Sequence, residues 1–430
     1  MADDGALQAL VEQAVEYALP LQVIAATRWR AVADAANPER HAPNTLKHLR
    51  RLADHRSRWI TAPNNDTLYS NAWLDLSAGP LRLRVATQPA GRYWSIALMD
   101  AFSNHFAMLG QRLDGCGPVD VLIAGPRDHD VDTAGPATRV IRAPGDDAWL
   151  FARCLVDGPE DLPQAHAMQD RITLHPTVDA LLPLPGAPGA LDDPPAFLAT
   201  VNALLARNPA PAADAPLLQR CARIGLCPGQ TDVWSRLDEP VRAAWTAHMD
   251  GAMARVRLQG AQGRRNFQGW IAAAADIGNF GCNYALRASV ALGGLGALEP
   301  DEAMYFVCYA DADGAALDGR HRYRLELPAQ GIPTDSFWSF TMYQATPDGR
   351  RFFVDNPIGR YAIGNRTPGL HWADDGSLAL LLQQAAPDGP AALANWLPAP
   401  ASGFQIALRC YLPRAELRQG LAAMPRIVRL

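Results

Sequence analysis

The sequence predicts an α+β chain that is mainly β: two antiparallel β modules, a helical N-terminus before the first and a helical segment between them. Three observations carry this expectation. Gly and Pro are frequent, at 34 and 35 of 430 residues, which marks many turns. Short alternating apolar runs occupy two separate stretches with a helical period between them. One nine-residue strand pattern occurs twice.

Taken in order, residues 5–36 carry an apolar stripe (Leu7, Leu10, Val11, Ala14, Val15, Ala18) that predicts a helix, kinked or broken at Pro20. A basic, His-rich stretch follows over 41–60. Strands are expected at 72–76, 81–86, 92–100, 119–124, 139–142 and 149–156, split by turn residues at sandwich-like spacing. The period then turns helical over 159–171, 194–207, 214–225 and 239–259. Residues 279–295, rich in small and apolar side chains, predict a buried helix closed by Gly293-Gly294-Leu295-Gly296. Strand patterns return at 304–310, 323–327, 337–344, 377–383, 404–411 and 427–430. The expected organisation is a helical segment 1–60, a first β module 61–157, a mainly helical insert 158–300 and a second β module 301–430.

The recurring pattern is Tyr93-Trp94-Ser95-Ile96-Ala97-Leu98-Met99-Asp100-Ala101 against Phe337-Trp338-Ser339-Phe340-Thr341-Met342-Tyr343-Gln344-Ala345, aligned without gaps. Trp94, Ile96 and Leu98 share one face with the pattern of Trp338, Phe340 and Met342. The other face is mixed and suits a groove: Tyr93, Ser95, Ala97 and Met99 against Phe337, Ser339, Thr341 and Tyr343. This predicts two related β modules.

Composition narrows the function. Net charge is −5 and the pI about 6.1, which excludes a dominant polyanion-binding surface and so a nucleic-acid binder. Lys47 is the single lysine among 39 basic residues and lies in no nucleotide-binding or Schiff-base motif, so lysine-dependent chemistry is excluded. Any bound anion is expected beside an arginine, with Arg92 and Arg360 the first candidates. Seven scattered cysteines without a CxxC pair fit a reducing compartment better than a disulfide framework or zinc site. Asp3 and Asp4 stand where a signal peptide needs basic residues, and no apolar run reaches membrane-spanning length. The expectation is a cytoplasmic protein with no membrane partner, no cofactor and no metal. Asp311-Ala312-Asp313-Gly314 lacks the later ligands of a calcium loop, and His48 and His55 are spaced seven apart, so neither predicts a metal site.

Polar density is highest at Pro63-Asn64-Asn65-Asp66-Thr67-Leu68-Tyr69-Ser70, a turn-prone run that feeds directly into a strand. Asn64, Asn65, Asp66, Thr67 and Tyr69 are candidates to line a cavity. Asp100 and Asn104 end the first repeat strand, where a carboxylate should be paired or functional. Asn356, Arg360 and Tyr361 belong to a Gly/Asn-rich loop that suits anion binding, although arginine-to-carbonyl bonds would equally pin such a loop. Trp396 marks a groove wall or a turn.

The segments PNNDTLYSNAWLDLS (63–77), GRYWSIALMDAFSN (91–104), DIGNFGCNYALRASVALGGLGAL (276–298), FWSFTMY (337–343), DNPIGRYAIGNR (355–366), DGSL (375–378) and NWLPAP (395–400) resemble the tandem domain-of-unknown-function family 1254/1214. The resemblance runs in consistent order from about residue 60 to 430, the first half ending near 160 and the second starting near 300. It implies two jelly-roll-like antiparallel β-sandwich modules with helical additions. It hands over no catalytic residues, because the family has no established general activity. Many members carry an export signal, which this sequence departs from.

The functional expectation is a metal- and nucleotide-independent enzyme working by acid–base chemistry, hydrolysis or elimination, on a small organic substrate in a cleft between the modules. Asp66, Tyr69 and Asp100 are the catalytic candidates. Asn64, Asn65, Thr67, Arg92, Tyr93, Asn104, Tyr343, Asn356, Arg360, Tyr361 and Trp396 are the substrate-binding ones. Two alternatives stand beside it: a non-catalytic carbohydrate- or ligand-binding module using its aromatic side chains, and a structural protein that forms homo-oligomers.

Overall fold

Alternating apolar residues in the first β stretch sort the strands into two sheets. In the computed structural model, which describes residues 2–58, 61–129, 139–178, 180, 182–260, 263–347 and 349–430, one sheet has the order Lys47–His48, Thr67–Asp75, Asp147–Leu155, Trp94–Asp100, His105–Gly110. The other runs Arg139–Arg142, Val119–Ala124, Leu81–Val85, Ile172–Pro176. Leu74, Trp94, Ile96 and Leu150 from the first sheet and Leu81, Leu83, Val121 and Ile123 from the second share one apolar core. The module boundary expected after residue 60 falls on residues outside the described set.

The second stretch repeats this plan strand for strand. Its larger sheet contains Trp270–Ala272, Ala303–Cys308, Gln405–Tyr411, Trp338–Ala345 and Ala362–Gly364 in that order, with Arg265–Phe267 and Arg351–Phe352 added. Its smaller sheet runs Trp396–Pro398, Leu378–Gln383, Tyr323–Leu327, Arg426–Arg429. Even the departure from antiparallel pairing recurs. Val119–Ala124 pairs in parallel with Arg139–Arg142, and Leu378–Gln383 in parallel with Trp396–Pro398. The nine-residue match in the sequence is therefore the visible part of a duplicated module. The architecture is α+β with several antiparallel sheets and no closed barrel.

Helices form a layer beside the first module. Ala2–Val32 is one continuous helix with Pro20 inside it, so the expected break does not occur. It packs against Glu239–Gln259, Tyr284–Gly293 and Pro194–Arg207, and Val15, Ala18 and Leu19 join Phe197, Trp245 and Met249 in a core of their own. That burial outweighs the hydrogen bond lost at proline. Among the described residues no helix is long and apolar enough to cross a membrane.

A buried ionic cluster joins helix layer and sheet. Arg28, on the long helix, bonds Asp147 at 2.6 Å and Asp75 at 3.1 Å, the two carboxylates facing each other across adjacent strands. Arg207 reaches both from the far side at 2.8 and 3.0 Å. Burial alone would raise the pKa of each carboxyl. Ser77 and the arginines outweigh it at Asp75, and the arginines with Asn208 do so at Asp147, so both lie below the ordinary carboxylate value. A lowered folded-state pKa contributes stability that is complete above the unfolded value of about 3.9 and is lost as pH falls through the lowered ones. Arg28→Met is expected to destabilise the fold by about 3 kcal/mol at pH 7. Chemical denaturation should show that difference shrinking below pH ~4, as the stranded carboxylates take up protons.

Candidate functional site

The residues that matter sit on the outer faces of the two larger sheets, where strand alternation turns them away from their own module's core. In the first module Tyr69, Arg153, Ser95 and Gly110 lie side by side on four adjacent strands. In the second, Tyr305, Arg409, Ser339 and Gly364 hold the same four places. The flanking pairs match as well: Trp94 opposite Cys154, and Trp338 opposite Cys410. Glycine is required at the end of each row. A Cβ on Gly110 would stand 2.5 Å from the Trp94 carbonyl oxygen, and one on Gly364 would stand 2.2 Å from that of Trp338.

The two rows face one another across a seam. Tyr93 and Phe337, counterparts in the repeat, meet edge to face at 5.7 Å, and Tyr411 stacks on Phe337 at 4.2 Å. Leu155, Leu298 and Leu412 complete an apolar strip between the modules.

Each module sends the arm that precedes its first strand across this seam. The arm before Thr67 covers the second module. Arg409 Nη2 donates to the carbonyls of Ala62 and Pro63, each at 3.2 Å, and the Tyr343 hydroxyl donates to Pro63 as well. Ser339 Oγ donates to Asp66 Oδ2 at 2.6 Å. The arm before Ala303 covers the first module. Arg153 Nη2 donates to the Gly296 carbonyl at 2.7 Å. The Tyr93 hydroxyl donates to Glu302 Oε1 at 2.9 Å and lies 2.8 Å from Ser95 Oγ. Asp66 and Glu302 are themselves counterparts, since their carbonyls accept at 2.9 Å from Val156 and Leu412, the residues that follow the two arginine strands. Asp66 thus bonds the row serine of the opposite module directly, and Glu302 reaches the other only through the Tyr93 hydroxyl.

Burial sets the electrostatics. It raises the Asp66 carboxyl above its usual range, with Arg409 and the Ser339 hydrogen bond as partial offsets. Glu302 is raised by burial too, against Arg112, Tyr93 and Arg153. Asp66, Tyr69 and Tyr305 remain half-buried, so part of each side chain is reached by solvent. Asp66 and Tyr69 both act electrostatically on Tyr411 and Tyr343, which groups them around one pair of phenols.

Of the residues singled out in the sequence, Asn64, Asp66, Thr67, Tyr69, Tyr93 and Tyr343 come together here. Asn64 Nδ2 donates to the Tyr411 hydroxyl at 2.9 Å and to Thr67 Oγ1 at 3.2 Å. Asn65 is spent on the Ala53 carbonyl at 2.6 Å. Tyr361 lies at the edge, its hydroxyl 2.8 Å from His55 Nδ1, and reaches the seam only through the stack Tyr361–Phe353–Tyr343.

The others are elsewhere, each for a structural reason. Asp100 accepts from the backbone N–H groups of Phe102 and Asn104 at 2.9 and 2.8 Å, so its carboxylate closes a turn beside the helix layer. Burial, set against those bonds, brings its pKa to about 6. Asn104 bonds Asp100 and Phe280 N. Arg92, expected to hold an anion, is locked in a buried pair with Asp161 and bonded to the Leu155 carbonyl. Arg360 is pinned by the carbonyls of Leu393, Ala394 and Trp396, and Asn356 bonds within its own loop. Trp396 is buried, with its indole N–H on Gln383.

Arg153, Arg409, Ser95, Ser339, Tyr305, Tyr411 and Glu302 were not among the sequence candidates. A signal was present: Phe151-Ala152-Arg153-Cys154-Leu155 and Ala407-Leu408-Arg409-Cys410-Tyr411 place an arginine before cysteine in two apolar strands. Among the described residues no three His, Cys, Asp or Glu side chains converge as metal ligands.

Fold and seam together define a duplicated β protein whose two halves exchange arms. Residues 43–176 match the family described as "Protein of unknown function (DUF1254)", and residues 302–415 match "Protein of unknown function (DUF1214)". The chain belongs to this tandem DUF1254/DUF1214 family. It is similar to the crystal structure of the VPA0106 protein from Vibrio parahaemolyticus, with a TM-score of 0.76 and 22% identity over 99% of this chain and 100% of that one. It is more distantly similar to the crystal structure of a putative uncharacterized protein from Burkholderia cenocepacia, with a TM-score of 0.47 and 13% identity over 100% of this chain and 96% of that one. No curated protein matches the sequence.

The geometry separates the seam from the turn at Asp100. Arg409→Met would strand Thr341, Tyr343 and two carbonyls, at an expected cost of about 3–5 kcal/mol. Asp100→Asn keeps an acceptor for the turn and should cost about 1 kcal/mol or less. Urea denaturation of the two variants checks both values.

Proposed function

We propose that the seam is an acid–base site acting on a small organic substrate, with hydrolysis or elimination as the reaction class. The observation that carries this reading is Asp66: a carboxyl that burial makes retentive of its proton, held by a serine of the other module and still partly reached by solvent. The Ser339 hydroxyl fixes the orientation of the carboxyl. Arg409 favours the ionised form of Asp66, offsetting part of the burial. The Tyr69 hydroxyl is a second proton donor on the same wall. Asp100, with its turn-closing bonds, has no part in it.

Glycan binding is the weaker reading, because the large aromatics are consumed internally. Trp73 stacks on Trp149 at 4.8 Å beneath the long helix, and Trp94, Trp245, Trp270 and Trp396 are fully buried. The jelly-roll winding of each module remains part of this proposal, supported by a chain that alternates between the two sheets as it goes from Thr67–Asp75 to Leu81–Val85 to Trp94–Asp100. A reducing, cytoplasmic setting is supported by seven free thiols.

The test is a panel of small esters, lactones and hydroxy acids incubated with the full chain and followed by NMR. Asp66→Asn should cut any turnover found by roughly 100-fold or more while leaving the unfolding midpoint in place, and Asp100→Asn should leave turnover intact. Undiminished turnover in Asp66→Asn overturns the proposal.

A further inference from the structure

The duplicated rows differ at one point, and the difference concerns the two arginines. Arg409 is saturated by the protein. Nη1 donates to Thr341 Oγ1 at 2.6 Å, and Nη2 donates to the Tyr343 hydroxyl at 2.6 Å and to two carbonyls of the crossing arm. In the first module the repeat places Ala97 where the second has Thr341, and Met99 where it has Tyr343. Arg153 is therefore left with the Gly296 carbonyl alone. Its Nε and Nη1 are buried and have no hydrogen-bond partner among the described residues, although the side chain is only 4% exposed. Such groups are rare in folded proteins, and each calls for a reason.

The surroundings narrow what would satisfy them. The Arg153 guanidinium lies over the rings of Phe151 and Tyr69, at 4.6 and 5.5 Å, and those rings stack on each other at 4.9 Å. Both rings are only half-buried, Phe151 meeting Trp149 at 4.7 Å on its other side. His105 stands within electrostatic range, and both of its ring nitrogens are buried and unpartnered. The segment that supplies Gly296 also covers His105, whose backbone N–H donates to Gly278 O at 2.6 Å. Burial, and then Arg153, push the His105 pKa down to about 4, so the imidazole is a neutral hydrogen-bonding group near pH 7. One fixed positive charge over a flat aromatic floor, with the Tyr305, Tyr69, Tyr411 and Tyr93 phenols around it and the nearby Glu302 carboxylate paired with Arg112 at 2.8 Å, suits a single negative charge on an organic body.

We infer that Arg153 binds the carboxylate of a small organic monocarboxylate at the seam, with Phe151 and Tyr69 against its body. This rests on the acid–base reading above and names the substrate class of that site. Arg409, its counterpart, holds the arm and takes no ligand.

The experiment is isothermal titration of the full chain with sodium benzoate, sodium acetate and inorganic phosphate. Benzoate is expected to bind, more tightly than acetate, and phosphate not at all. Arg153→Met should weaken benzoate by at least about tenfold. The double variant Ala97→Thr with Met99→Tyr keeps the arginine but gives it the partners Arg409 has. It should lose benzoate binding while its near-UV circular dichroism shows a native fold, which keeps the test sound if Arg153→Met folds poorly. Absence of carboxylate binding in the wild type, equal binding of phosphate, or benzoate binding undiminished in the double variant overturns the inference. Turnover that persists in Arg153→Met at unchanged KM overturns this site alone. Benzoate binding lost in Arg153→Met, together with undiminished turnover in Asp66→Asn, supports this site and sinks only the acid–base reading.

Discussion

Each β module buries an arginine in the middle of a strand, and each arginine is answered by the arm of the other module. A charged side chain on an apolar seam is costly unless hydrogen bonds meet it, and the strand neighbours have spent their backbone groups on the sheet. The carbonyls of Ala62, Pro63 and Gly296 come from outside the sheet, on chain that is about to become the first strand of the opposite half. That one requirement fixes where the arms run, which faces of the sheets meet, and why Asp66 ends on Ser339 and Glu302 on Tyr93 of the opposite half. The helix layer is attached separately, through Arg28 and Arg207 on Asp75 and Asp147.

Chemistry and support are divided between the rows. Arg409 has polar neighbours on its own strand partner and is held rigidly, which keeps Ser339 and hence Asp66 in place. Arg153 sits over aromatic rings with Ala97 and Met99 beside it, a setting that offers packing and few hydrogen bonds. The same backbone thus builds a clamp in one half and an unsatisfied polar centre in the other.

Much of the fold was legible because strong local signals coincide with it. Asp193-Pro194-Pro195 and Asp238-Glu239-Pro240 are helix-start signatures, and the helices Pro194–Arg207 and Glu239–Gln259 begin there. Alternation bounded by turn residues likewise marked Val119–Ala124 and Tyr323–Leu327. Short strands such as Trp270–Ala272 and Ala362–Gly364 escaped, since three residues carry no period. The site was only half legible. Polar density found Asp66 and Tyr69. A lone carboxylate at a strand end, Asp100, an arginine at the start of the same strand, Arg92, and one in a polar loop, Arg360, were read as functional, whereas backbone groups or a buried Asp claim them. Arg153 and Arg409 escaped because the two halves have loops of different length. The offset between counterparts grows from 236 residues at Thr67 and Ala303 to 256 at Arg153 and Arg409, so a gapless match in one strand does not extend to its neighbours.

The crossed arms also have a meaning in terms of symmetry. Contacts in which each half's carboxylate accepts from a hydroxyl of the other half are those of an isologous two-fold dimer. Here both copies belong to a single chain. Two separate identical subunits would have to carry every substitution twice, on both sides of the axis at once. Joined end to end, the halves are released from that identity. Threonine and tyrosine beside one arginine, and alanine and methionine beside the other, are a combination open to the linked pair and closed to a homodimer.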